Sequence, residues 1–371
     1  MRIAAAARPC LIYMAAHGIF PFPRSFLTYV TSMHITADPH SIPLAPRALA
    51  RGCAVTIGNF DGVHLGHQAL ICKTVERARG EGLPAVVITF DPHPLQVVKG
   101  KEAPPQLISL QHKLECFADL GIDLAVVMPF TAETAALTPE DFVSRVLVGC
   151  LNTRALVVGY DYAFGKGRRG NAALLAELGM VYGFEVEEFP AVNLNGCVVS
   201  STRIRETLRR GDAAQAAALL GRPHSVEGVI AKGMNRGGRL LGFPTANLHM
   251  EENLLLPATG VYAVLAELSP KRHSLPGVCT GSTGAYLKGV ANVGNNPTFG
   301  DDYLRVETHL LDFHKDIYGA PFRVHFIERL RDERKFNGVT ELVEQIRRDA
   351  AQAREILPPV ECSPATARAV S

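Results

Sequence analysis

From Arg51 to about Arg222, short apolar runs alternate with stretches whose apolar positions recur at helical spacing. Cys53–Ile57, Ala85–Phe90, Leu124–Met128, Ala155–Gly159 and Phe184–Phe189 have the length and content of buried strands. Leu70–Arg79, Leu110–Leu120, Pro139–Leu147 and Ala172–Tyr182 lie between them and predict helices. Such alternation predicts an α/β domain, a parallel sheet with helices on both faces whose ligands sit beyond the carboxyl ends of the strands. From Val226 the texture changes. The β-rich runs Val226–Ala231, Gly260–Leu268, Gly289–Val293, Val306–Phe313 and Phe322–Leu330, separated by Gly, Pro and Asn, predict a small antiparallel barrel or sandwich. Leu342, Val343, Ile346, Ala350 and Ala353 then mark one face of a closing helix over Val339–Ile356, stopped by Pro358-Pro359. This pattern divides the chain near Pro223, into 51–222 and 223–357, with a loose tail over 358–371.

Residues 1–50 precede the alternation and are read as an extension, disordered at least to residue 32, with Met33 as a candidate true start. A signal peptide is the rival reading, but Arg8, Pro9 and His17 interrupt its apolar run and no clean cleavage site follows.

The length of 371 residues allows two domains with a core each. A net charge of +2 gives no reason to expect a nucleic-acid or membrane partner, and no apolar run reaches the roughly 18 residues of a transmembrane helix. The eight cysteines are scattered and none falls in a C-x-x-C pair, so a zinc cage or disulfide framework is not expected and the cytoplasm is the natural setting.

The richest chemistry follows the first strand, in Gly58-Asn59-Phe60-Asp61-Gly62-Val63-His64-Leu65-Gly66-His67. A glycine-rich turn lets a ligand approach the backbone, and the helix behind it offers free N–H groups and a positive dipole end to an anion. Two histidines flanking that anion site suit a chain that holds an α-phosphate while another oxyanion attacks it. Three more loaded turns follow predicted strands or open a helix. His93 sits in Asp91-Pro92-His93-Pro94, and Asp161 lies in the aromatic, glycine and cation-rich loop from Gly159 to Asn171. Ser200-Ser201-Thr202 precedes Arg203-Ile204-Arg205, where hydroxyls can cap a helix and Arg205 can reach phosphate oxygens. Taken singly, the hydroxyls read equally as a helix cap, the loop cations as a solvated surface and His93 as a turn residue.

A second dense stretch runs from Gly237 to Asn247 and contains Gly238, Arg239, Gly242, Pro244, Thr245 and Asn247. Its Gly/Arg loop can wrap phosphate with backbone amides. On an extended segment Thr245 and Asn247 point the same way, offering hard oxygen ligands to a Mg²⁺ carried by ATP. Asn296 and Thr298 lie in the polar loop Gly294–Gly300. Glu307 and His309 share one face of the next strand, and a carboxylate in a barrel mouth is costly unless paired or used. By spacing alone, an exposed strand carboxylate describes Glu307 as well.

The G-N-F-D-G-V-H-L-G-H and S-S-T-R-I-R motifs, followed by G-G-R-L-L-G-F-P-T-A-N, N-P-T-F-G and V-E-T-H-L-L-D-F, resemble the bacterial bifunctional riboflavin kinase/FAD synthetase family from about Gly52 to Asp349. The resemblance implies a Rossmann-like nucleotidyltransferase domain that joins AMP from ATP to FMN, releasing pyrophosphate. It also implies a closed antiparallel barrel with a trailing helix that phosphorylates riboflavin to FMN. By carry-over His64 and His67 contact ATP phosphates while Gly58, Asn59, Phe60, Asp61 and Gly62 shape the pocket. His93, Asp161, Ser201, Thr202 and Arg205 help bind nucleotide and flavin phosphate. In the barrel, Thr245 and Asn247 hold Mg–ATP, Gly238, Arg239, Gly242, Pro244, Asn296 and Thr298 line the pocket, and Glu307 is the catalytic base. The expected ligands are riboflavin, FMN, ATP and Mg²⁺. Two departures are a long Ser269–Tyr286 loop and Tyr162 where phenylalanine is frequent. The rivals are a nucleotidyltransferase for another small phosphate and a flavin-binding regulator that has lost catalysis.

Overall fold

The computed structural model describes residues 33–39, 49–231, 243–250, 253–268, 278–279, 286–295 and 304–359. The expected disordered stretch to residue 32, nearly all of the expected tail, and Gly238, Arg239, Gly242, Asn296 and Thr298 lie outside the described residues.

In chain order the first half contains β1 (Met33–Thr36), β2 (Cys53–Ile57), α1 (Leu65–Glu81), β3 (Ala85–Asp91), α2 (Pro94–Lys99) and α3 (Leu110–Asp119). It continues with β4 (Leu124–Pro129), α4 (Ala132–Ala136), α5 (Pro139–Phe142), β5 (Thr153–Gly159), α6 (Ala172–Tyr182) and β6 (Glu185–Phe189). A small hairpin of β7 (Asn193–Leu194) and β8 (Cys197–Val198) precedes α7 (Ser201–Arg209) and α8 (Ala213–Leu220). The second half has β9 (His224–Ala231), β10 (Ala246–Met250), β11 (Gly260–Leu268), β12 (Val278–Cys279), β13 (Tyr286–Asn295), β14 (Leu304–Leu310), β15 (Pro321–Arg331) and α9 (Val339–Ile356).

Both predicted architectures are present. The first half winds helices around a sheet of order β12-β1-β4-β3-β2-β5-β6, parallel except for β12. β2 is buried on both faces: Ala54 joins one core while Cys53, Val55 and Ile57 join the other, as a central parallel strand requires. At β2 the strand order changes direction, with β3 on one side and β5 on the other. A crevice opens at such a switch point, beyond the carboxyl ends of the strands. The second half closes into an antiparallel barrel of order β10-β14-β13-β11-β15-β9. Ala246, Leu248, Val306, Leu310, Ala291 and Val293 fill it, and Ala350 and Ala353 of α9 pack outside against Ala263 and Leu311.

Several local expectations change. The helix expected behind the glycine-rich turn is α1, which starts at Leu65 because His64 caps it there. The helix expected over Pro139–Leu147 is α5 followed by wider π-helical turns through Cys150. β1 and β12 had no sequence signal, being too short to show a period, and β10 was hidden by its flanking Phe243-Pro244. β14 ends at Leu310 rather than Phe313, where Asp312 takes φ +57°. Among the described residues no helix is long and apolar enough to cross a membrane.

A buried charge cluster joins the halves. Arg323 of β15 is 1% exposed and meets Glu227 of β9, Glu267 of β11 and, from α3 in the other half, Glu115 at 2.8 Å. Ser109, the cap of α3, also donates to Glu227, and His112 meets Ser225 at 3.4 Å. Burial opposes the Arg323 charge, but Glu227, Glu115 and Glu267 more than offset it and drive its pKa up. Backbone pairs add to the seam: Gln106 N–H donates to Asn253 C=O, and Leu255 N–H to Gln106 C=O, each at 2.8 Å. Removing one partner strands the others without compensation. Arg323→Met is therefore expected to lower the urea midpoint by the equivalent of about 3–5 kcal/mol, whereas a midpoint unchanged from wild type in equilibrium denaturation would contradict this role.

Candidate functional site

The turn after β2 is bent in a way that few side chains tolerate. Phe60 has φ +48°, Gly62 +84° and Val63 +37°. Gly62 has no room for a side chain, since a Cβ there would stand 2.7 Å from Leu107 Cδ1. A β-branched residue in this region is strained by about 1–3 kcal/mol and persists only where its surroundings fix it. Arg222 fixes it, donating from Nη1 to Val63 C=O (3.0 Å) and from Nη2 to Gly62 C=O (2.7 Å). Gln68 Nε2 adds a bond to Val63 C=O at 2.7 Å. Asp61 is braced too: Oδ1 accepts from Leu107 N–H at 2.9 Å, and Oδ2 pairs with Arg205. Ser201 Oγ donates to Asp61 C=O at 2.9 Å.

The turn delivers His64 and His67 to the start of α1. His64 Nδ1 accepts from His67 N–H at 3.3 Å and caps the helix, and the two rings stack with centroids 3.6 Å apart. His64 thus has a structural duty that its spacing did not reveal. Because Nδ1 accepts, a neutral ring carries its proton on Nε2 as a donor. Burial, then the Arg222 charge, lowers the His64 pKa from 6.5 to about 3. Burial, His64, Lys113 and Arg222 together hold His67 well below its ordinary value. Phe60 backs His67 edge-on at 5.3 Å. The Nδ1 of His67 is sealed from solvent and has no hydrogen-bond partner among the described residues.

His93 repeats the device on α2. Its Nδ1 accepts from Leu95 N–H at 3.1 Å, while Gln96 Oε1 accepts from His93 N–H, a capping box. Burial pulls its pKa down as well. These rings, with Asp61, Ser201 and Arg205, come together at the switch point. Arg205, expected to reach phosphate oxygens, is instead buried, giving one N–H to Asp61 and another to Pro105 C=O at 2.9 Å. A guanidinium compensated by a buried carboxylate is a brace for the turn. Asn59 is exposed beside the cluster. Asp161 and Thr202 are also exposed, and neither side chain bonds to the histidines. Ser200 is the cap of α7, accepting from Arg203 N–H at 3.3 Å. Lys166, Arg168 and Arg169 are solvated.

The barrel gathers its own group on its outer face. Inward-facing Ala246, Leu248, Val306 and Thr308 alternate with Asn247 and Glu307, so Glu307 stands outside the barrel and not in a mouth, as the strand period of two dictates. Asn247 pairs directly across from Glu307, which on its other side faces Asn292 of β13. Directly opposed side chains sit about 5 Å apart at Cβ. Asn292 Nδ2 donates to Glu333 Oε1 at 3.0 Å, and a Cβ at Gly294 would collide with that oxygen. Burial raises the Glu307 pKa, Arg305 opposes this and Glu333 adds to it. His309 donates from Nδ1 to Pro244 C=O at 2.9 Å, holding the approach to Thr245 against β14. The side chains of Thr245 and Asn247 make no hydrogen bond among the described residues.

Arg222, Gln68, Asn292, Glu333 and Lys113 escaped the sequence reading. Only Lys113 carried a signal, a charge on the apolar stripe of Leu110, Leu114 and Phe117.

A family model described as FAD synthetase matches residues 47–203, and one described as riboflavin kinase matches residues 220–357. The bifunctional riboflavin kinase/FMN adenylyltransferase of Escherichia coli (strain K12) is 38% identical over 323 residues, covering 87% of this chain and 97% of its own. Its counterpart in Bacillus subtilis (strain 168) is 35% identical over 328 residues, covering 87% and 96%. A solved Streptococcus pneumoniae structure described as a macrolide-efflux protein has a TM-score of 0.73 at 30% identity, covering 86% of this chain and 98% of its own.

The cost of charging His64 sets a pH dependence. An unfolded chain takes up a proton on His64 near pH 6.5, and the folded chain does so only near 3. Stability is therefore fully present above about pH 6.5 and falls as pH drops toward 3, by about 1.4 kcal/mol per pH unit for such a group. In urea melts between pH 7 and 5, His64→Gln should give a shallower slope than wild type; an identical slope would show that His64 is not buried as a neutral ring.

Proposed function

The chain belongs to the bifunctional riboflavin kinase/FMN adenylyltransferase family, and on that footing we propose how its residues divide the work. It is an enzyme of FAD biosynthesis: one ATP phosphorylates riboflavin to FMN, and a second transfers AMP to FMN, giving FAD and pyrophosphate. We assign adenylylation to the cleft beyond β2 and phosphorylation to the outer face of β10 and β14. The cross-strand pairing of Asn247 with Glu307 is the observation that carries the second assignment.

In the first reaction the ribityl 5′-hydroxyl attacks the γ-phosphorus of ATP, its proton passes to Glu307, and the bond to the ADP oxygen breaks. An alcohol is a weak nucleophile, so a base with a raised pKa suits the step. Burial and the Glu333 charge supply that rise. Thr245 and Asn247, whose hydroxyl and amide oxygens make no hydrogen bond among the described residues, fit a hard cation and would hold Mg²⁺ beside Glu307. Mg²⁺ arriving with ATP would neutralise negative charge on its phosphates. No group of three or more His, Cys, Asp or Glu suited to a metal occurs among the described residues, which agrees with an ion brought by its nucleotide.

In the second reaction a phosphate oxygen of FMN attacks the α-phosphorus of ATP and pyrophosphate leaves. The nucleophile is already an anion, so the protein's task is alignment and charge stabilisation rather than proton removal. The N-terminus of α1, with Nε2–H of His64 and His93, supplies donors for oxygen atoms gaining charge. Asn59, Asp161 and Thr202, exposed around this cleft, complete the proposed nucleotide and flavin contacts, and Gly58, Phe60 and Gly62 shape it. Asp61, Ser201 and Arg205 act by holding the turn. A cytoplasmic setting belongs to the same proposal and agrees with free thiols at Cys53 and Cys197.

Chromatographic separation of flavins after incubation with riboflavin, ATP and Mg²⁺ tests the division. Glu307→Ala should abolish FMN formation and leave conversion of added FMN to FAD largely intact; equal loss of both would contradict separate sites. His67→Ala should do the reverse, slowing adenylylation by about 10²-fold or more, and a normal rate of FAD formation would remove His67 from the site.

A further inference from the structure

One buried cation has no part in the chemistry described so far. Lys113 lies in the middle of α3 and is 3% exposed. Its neighbours His112 and Glu115 turn toward the barrel, where they meet Ser225 and Arg323. Lys113 faces the other way. The groups that feel its charge, or whose charge it feels, are Asp61 in the turn after β2, His67 in the first turn of α1, Asp91 at the end of β3 and His93 in the turn that follows. The turns after β2 and β3 border the crevice at the switch point.

Nothing among the described residues satisfies Lys113. Its Nζ donates no hydrogen bond and forms no ion pair there. Asp61 is already committed to Arg205 and Leu107 N–H, and Asp91 is exposed. Burying an ammonium without a counter-charge is costly, and such lysines are rare unless they are paired or used. The other cations coupled to these histidines are spent within the protein: Arg205 on Asp61 and Pro105 C=O, Arg222 on the Gly62 and Val63 carbonyls. The sealed, partnerless Nδ1 of His67 is a second unsatisfied group in the same wall.

We propose that Lys113 is a phosphate-binding residue of the adenylylation site, its ammonium pairing with a phosphate oxygen of ATP or of FMN. The assignment rests on the reading of this crevice as the adenylylation site. A fixed cation beneath the turn supplies full positive charge where the capping imidazoles supply neutral donors. Only position and charge are asked of it; it moves no proton.

The experiment uses the full chain carrying Lys113→Met, Lys113→Gln or Lys113→Arg, with His67→Ala beside them. Lys113→Met should lower kcat/KM for FMN adenylylation by about 10²-fold and leave riboflavin phosphorylation within about twofold of wild type, which also reports folding. Lys113→Arg should recover part of the loss, a rescue that a purely packing role would not give. Calorimetric titrations with pyrophosphate and with FMN, both with Mg²⁺, name the source of the phosphate: the probe whose affinity drops in Lys113→Met is the one the ammonium holds. If Lys113→Met does not fold, Lys113→Gln carries the same contrast. Wild-type kcat/KM for adenylylation in the folded variant overturns the proposal, as does equal loss of both activities in every variant. If His67→Ala also leaves adenylylation intact, the assignment of the crevice fails; if His67→Ala abolishes it and Lys113→Met does not, only the role of Lys113 fails.

Discussion

A guanidinium from the junction of the two halves holds the strained turn after β2. Val63 sits at φ +37°, and the Gly62 and Val63 carbonyls that this bend turns aside are collected by Arg222. Without it, the Gly62 carbonyl would lose this donor and the Val63 carbonyl would keep only Gln68, next to a strained peptide. The arrangement does more than secure a turn. It sets where α1 begins, and with it the two stacked imidazoles at its end. The same charge helps keep both rings neutral. Because Arg222 lies just ahead of β9, the segment leading into the barrel also clamps the turn in the other domain.

α3 makes the converse connection. Within four residues it places His112 and Glu115 against the barrel and Lys113 against the crevice. A helix can do this because neighbouring residues project about 100° apart, so one turn serves two surfaces. The two sites solve opposite electrostatic problems by different means. In the proposed assignment, one would meet anions with a helix terminus and uncharged rings in a buried wall. The other gathers oxygen atoms on an outer barrel face, where Glu333 crosses β13 above a glycine that leaves room for it.

Strands such as Cys53–Ile57 and helices such as Ala172–Tyr182 were legible because burial on both faces, or on one, leaves a period that local sequence displays. The histidine pair and the strand carrying Glu307 were legible as motifs. What stayed hidden depended on partners distant in the chain. Nothing near Arg222 announces that it bonds to residues some 160 positions earlier. The Asp61–Arg205 pair turned an expected phosphate ligand into a brace, since a charge's role follows from what neutralises it. Glu307 was assigned to the wrong part of the barrel, although its alternation with Val306 and Thr308 already implied an outward direction. The four residues of β1 escaped because a strand that short has no measurable period, and its burial comes from its neighbour β4.

The antiparallel pairing of β12 with β1 couples the halves in a further way. Val278 and Cys279, of the second half, supply the outermost strand of the first half's sheet. A polypeptide cut at the junction would leave β1 with one unpaired row of amides and carbonyls, the kind of open border that recruits stray chains into aggregates. The second module thus shields a sheet edge of the first, which gives one physical reason for keeping the two in a single gene product.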